Sequence, residues 1–103
     1  MIGKVALKRF RTIGHGLRPI VTVAGNRLSE EVLAELDRAL CDHELIKIRI
    51  HAEDRKDRAN TLGQIVAASG SEIIQKIGNI AVLYKAAARP NPRLSNILRS
   101  GIL

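Results

Sequence analysis

The chain has 103 residues with 17 Lys and Arg against 10 Asp and Glu, a net charge of +7, one cysteine and only two aromatic rings, Phe10 and Tyr84. That length supports one modest core, and a single cysteine excludes an internal disulfide. No apolar run reaches membrane-spanning length, and two rings among aliphatic neighbours are too few for gripping nucleic acid by base stacking.

The charge is segregated. Every carboxylate side chain lies between Glu30 and Glu72, so residues 1–29 carry +6, residues 30–72 carry −4 and residues 73–103 carry +5. Mixed charges would serve solubility better, whereas one-signed surfaces steer and hold phosphates. The competing reading is a solvated surface that is merely basic; the segregation favours a nucleic-acid partner.

Ile2, Ala6, Phe10 and Ile13 recur at helical spacing, with Lys4, Lys8 and Arg11 on another stripe of the same helix and Gly14 and Gly16 as its stop. Arg18-Pro19 forces an extended entry into a short β-branched strand, Ile20 to Val23. Ala24 to Arg27 is a tight loop. Ser29 is an N-cap with Glu30 and Glu31 in the first turn, and Leu28 before it can staple onto Leu33. Val32, Leu33, Leu36, Ala39 and Leu40 form the buried face of this second helix.

Leu45 to His51 alternates, with Ile46, Ile48 and Ile50 on one face and Lys47, Arg49 and His51 on the other. Burying Lys47 and Arg49 under a helix would be costly, so the pattern predicts an open sheet face or an edge position. A third helix starts near Asp57, turns Leu62, Ile65 and Val66 inward and stops at Gly70. Arg55, Lys56 and Arg58 stand beside Glu53, Asp54 and Asp57 and read as a neutralised, solvated loop. Ile73–Ile77 and Ile80–Lys85 form a hairpin over Gly78-Asn79. From Arg89 onward, periodicity is lost and the reading is a basic, flexible tail.

The expected fold is therefore a single α/β (α+β) domain over residues 1–88, in the order α-β-α-β-α-β-β with a four-stranded mixed sheet, followed by a tail over 89–103. Two crossovers imply parallel pairings.

Cys41 and His43 lie two apart, with His51 at a strand end. A zinc site needs about four ligands at recognisable spacing, and Cys41 near a helix end reads as a buried thiol. No serine-histidine-acid order, Walker loop or dinucleotide fingerprint is present. The expectation is no catalysis, no metal and no cofactor.

Four stretches in order carry a resemblance: His15-Gly16-Leu17-Arg18-Pro19-Ile20-Val21, Val23 to Ser29, His43 to Ile50, and Ile77 to Lys85. Over about residues 4–86 the chain resembles the CRM domain, the chloroplast RNA splicing and ribosome maturation domain, in its single-domain bacterial YhbY-like form. The resemblance implies a four-stranded sheet with helices similar to the C-terminal domain of translation initiation factor three. It also implies RNA binding, with precursors of the large ribosomal subunit as the bacterial partner and intron splicing as the plant role.

The family's Gly-x-x-Gly loop falls on Ala24, Gly25, Asn26 and Arg27, and neither outer glycine is kept. Either Arg27 replaces the backbone cradle with a long charged donor, or the loop is only a turn. The expected RNA-binding residues are Lys4, Lys8, Arg11, Arg18, Gly25, Asn26, Arg27, Lys47, Arg49 and Lys85. A cytoplasmic monomer without membrane contact is expected. The alternatives are a general RNA chaperone, an intron-type RNA binder, or a protein-interaction module using the acidic second helix.

Overall fold

The computed structural model describes residues 2–24 and 28–100, with Gly3 as the N-cap of the first helix. Among these residues the order is α1 (Lys4–His15), β1 (Pro19–Ala24), α2 (Glu30–His43), β2 (Leu45–His51), α3 (Arg55–Ser69), β3 (Glu72–Ile77) and β4 (Ile80–Tyr84). The α-β-α-β-α-β-β order is as expected. No helix among the described residues is long and apolar enough to cross a membrane.

Local chemistry explains the boundaries. Ser29 Oγ accepts from Val32 N at 3.2 Å, capping α2. Asp54 Oδ1 accepts from Asp57 N at 2.8 Å, so α3 starts two residues earlier than expected. Gly70 closes α3 at φ +72°, and Gly78 turns the hairpin at φ +57°, both in the region that glycine adopts without strain.

The sheet order is β1-β2-β4-β3. β1 and β2 pair in parallel, while β4 pairs antiparallel with both β2 and β3. Only one of the two crossovers therefore ends in a parallel pairing. β3 runs parallel to β2 but one place further out, because the hairpin folds β4 into the gap. The reason is burial. Ala81, Val82 and Leu83 are all buried, so β4 presents apolar side chains to both faces and belongs in the middle.

Two cores flank the sheet. On one face Leu36 and Leu40 of α2 and Leu62 and Ile65 of α3 pack on Val21, Val23, Ile46, Ile48, Ile50, Ala81 and Leu83. On the other, α1 sets Phe10 and Ile13 against Leu45, Ile74 and Val82. The Phe10 and Tyr84 rings lie 4.6 Å apart at 41°, Phe10 buried and Tyr84 half-buried against the same core. Helix α1 runs through Gly14 to His15 and is capped by Gly16; Gly14 instead serves close packing, since a Cβ there would stand 2.9 Å from Val82 Cγ1. Gly14→Val should therefore cost about 1–3 kcal/mol by overpacking. Denaturant unfolding of this variant with and without Val82→Ala checks it; relief by the second substitution is expected.

Tyr84 adds a pH dependence. Burial, then the Glu44 and Glu72 carboxylates, raise its phenol above the usual value of 10.0. The folded state thus keeps this proton where the unfolded chain has lost it. The stabilisation is complete below pH 10.0 and disappears as pH climbs through the folded value. Between about pH 9 and pH 11, urea midpoints should fall further for wild type than for Tyr84→Phe. Parallel curves would contradict this.

The segment after Ala88 is not a loose tail over its described part. Ser95 is fully buried and donates through Oγ to Glu44 Oε1 at 2.7 Å. Asn96 Nδ2 donates to Leu45 O at 2.7 Å, and Asn96 N to His43 O at 2.9 Å. Ile97 packs on the α1 core. Individual hydrogen bonds hold this segment, which is why it shows no periodicity. Glu44 anchors it from a strained backbone, φ +61°, where its Oε2 also accepts from Ala87 N at 2.9 Å. Cys41 is exposed instead of buried, one residue past the inward-facing Leu40.

Candidate nucleic-acid interface

The α1 side of the sheet gathers most of the expected residues that the structure describes. Lys4, Lys8 and Arg11 are exposed along α1, whose first turn contains no acid. Arg11 Nε donates to Ile74 O at 3.2 Å, which holds the side chain across the α1–β3 seam. Arg9 is different: it is half-buried, with Nη2 donating to Ile97 O at 3.5 Å and Nε buried without a partner.

Helix α1 covers only part of its face. Beyond it, Thr22, Arg49, Ile80 and Ile77 pair in one row across all four strands. Arg49 is exposed on this open strip. Lys47, nearer the helix, is half-buried and donates through Nζ to His15 O at 3.4 Å. It thereby places a cation at the negative end of α1. The expectation of an open face is met by half a face, and Lys47 has a structural partner that the alternation could not reveal.

Arg18 and Lys47 share a shallow groove of about 200 Å³ with His43, Asn96 and Arg99 over an apolar floor of Leu17, Ile20 and Ile46. Sequence reasoning missed Arg99, because it reaches this groove only through the docking of residues 95–97. Lys85 lies apart: its Nζ donates to Ser69 O at 2.8 Å, capping the end of α3. Gly25, Asn26 and Arg27 lie outside the described residues, between the end of β1 and the capped start of α2.

The acids are placed oppositely. Glu30, Glu31, Glu35 and Asp37 are exposed on α2, which packs on the far face of the sheet. The acidic stretch of α2 thus lies across the sheet from the basic α1. Among the described residues no group of three or more His, Cys, Asp or Glu is placed to hold a metal ion.

A half-open four-stranded sheet with a basic helix lying across it defines a class as well as a surface. The chain belongs to the CRS1/YhbY (CRM) domain family, whose model matches residues 3–85. It is 49% identical over 92 residues to a probable RNA-binding protein of Pseudomonas aeruginosa, covering 89% of this chain and 88% of that one. It is 41% identical over 73 residues to an RNA-binding protein of Haemophilus influenzae, covering 71% and 74%. The solution structure of the Staphylococcus aureus protein SAV1595 superposes with a TM-score of 0.74 at 23% identity, over 92% of this chain and 98% of that one. That likeness establishes the fold.

Proposed function

We propose that the protein binds structured RNA through the α1 side of its sheet, gripping phosphates without catalysis. The observation that carries the reading is the spatial split of charge. Lys4, Lys8, Arg11 and Arg49 belong to the α1 side and Arg18 and Arg99 line the groove at its border, whereas the acids of α2 are exposed on the other face. The relatives named as RNA-binding proteins support it. With Phe10 buried and Tyr84 half-buried against it, the two rings form no open stacking platform, so shape and phosphate positions lead recognition.

The RNA we propose is ribosomal RNA in a precursor of the large ribosomal subunit, in the cytoplasm, with the protein acting as an assembly factor. This finer reading rests on the family resemblance. Crosslinking and sequencing of bound RNA tests it: enrichment of large-subunit ribosomal RNA is expected, and scattered transcripts would overturn it in favour of a general chaperone. The phosphate-led grip makes its own prediction. With roughly six phosphate contacts, log K should fall with log salt at a slope of about −4 to −5. Filter binding between low and physiological salt measures this; a slope near zero contradicts it.

A further inference from the structure

A second basic groove lies on the opposite face. Arg55, Arg58 and Ala59 from the start of α3, Lys76 of β3 and Gly78 of the hairpin turn line a depression of about 300 Å³. Lys76 pairs with Ala81, whose side chain belongs to the α2–α3 core, so it stands on the α3 side of the sheet.

Among the described residues no carboxylate lines this groove. Asp54 Oδ1 accepts from Asp57 N and Asp57 Oδ2 accepts from Glu53 N, so these two carboxylates are engaged by the backbone. No carboxylate among the described residues pairs with Arg55, Arg58 or Lys76. Three cations lining one depression repel one another, and an anion among them lowers that repulsion.

The position matters as much as the charge. β1, β2 and β3 run in the same direction, so Ala24, His51 and Ile77 end at one edge of the sheet, where the hairpin turn also lies. Asn79 O accepts from Ile50 N at 2.8 Å, fastening the turn to the end of β2. The open strip carrying Arg49 reaches this edge on one face, and the groove lies just round the turn on the other. Gly78 has no side chain to block passage, and a Cβ built there would meet nothing within 4 Å.

We infer that Arg55, Arg58 and Lys76 form a second phosphodiester-binding site, engaging RNA that passes from the open strip around the β3–β4 turn. The inference rests on the proposed function and adds a second contact region to it. The test compares three full-length variants on a stem-loop RNA of large-subunit ribosomal sequence. The first is Arg55→Gln/Arg58→Gln/Lys76→Gln and the second Lys4→Gln/Lys8→Gln/Arg11→Gln. The third, Arg38→Gln/Arg89→Gln/Arg93→Gln, removes the same charge elsewhere. Thermal melts confirm folding.

The groove variant should bind at least about ten-fold more weakly, with the salt slope reduced by about 2, while the third variant changes far less. Equal losses in the groove and third variants would assign the effect to net charge and overturn the inference. An unchanged groove variant beside a weakened α1 variant would overturn it and leave the proposed function standing. No loss in either would overturn both. Unchanged RNA binding with chemical-shift changes at Lys76 on adding poly-glutamate would assign the groove to an acidic protein partner, against the inference.

Discussion

Truncation after Ala88 should lower the free energy of unfolding by about 3–5 kcal/mol, because it breaks up a buried polar cluster as well as removing surface chain. Glu44 is 6% exposed, and Ser95 Oγ is the partner of its Oε1. Without Ser95 a buried carboxylate oxygen loses its donor, which alone costs about 1–3 kcal/mol. Leu45 O and His43 O lose Asn96 at the same time, and the α1 core loses Ile97. Denaturant unfolding of the truncated chain and of Ser95→Ala gives both numbers. Ser95→Ala should show only the smaller loss. Truncation that left stability within about 0.5 kcal/mol of wild type would mean the docking has no energetic weight. Because Arg99 departs with the segment, RNA affinity should fall as well.

Lys4→Gln/Lys8→Gln/Arg11→Gln should weaken RNA binding by roughly 100-fold or more at low salt. Each charge-assisted phosphate contact contributes about 1.5–3 kcal/mol, and neighbouring contacts are not fully additive. The salt slope should drop by about 2–3, since three fewer counterions are released. Lys4 and Lys8 are exposed, so their loss should leave the melting temperature nearly unchanged. Arg11 also donates to Ile74 O, so its substitution adds a small stability cost. Fluorescence anisotropy at several salt concentrations reads affinity and slope together. Intact affinity in the triple variant would remove α1 from the interface.

The residues differ in how openly they declare these roles. β2 is readable because alternation with period two separates Ile46, Ile48 and Ile50 from Lys47 and Arg49, and its bounds match the structure. The hairpin is readable because Gly78 takes the positive φ its turn requires. The placement of β4 is a tertiary fact, but it had a signal: Ile80 to Tyr84 lacks alternation, as a strand buried on both faces should, whereas Gln75 and Lys76 mark β3 as an edge.

Charge alone cannot separate a cation facing solvent from one bonded to a backbone carbonyl, which is why Lys47 and Lys85 looked like Arg49. Arg99 and the Arg55–Arg58–Lys76 groove depend on segments distant in sequence meeting, so no local pattern announces them. Glu44 read as one more acid because its role comes from contacts 43 and 51 residues away.

The most direct test of the central claim is to titrate isotopically labelled protein with a structured ribosomal stem-loop and follow its backbone amide signals. The account predicts shifts concentrated from Lys4 to Arg18 and at Arg49 and Arg99, joined at the second groove by Arg55, Arg58 and Lys76, with the exposed α2 residues Glu31 and Glu35 unmoved. Shifts centred on α2, with the α1 residues silent, would contradict it.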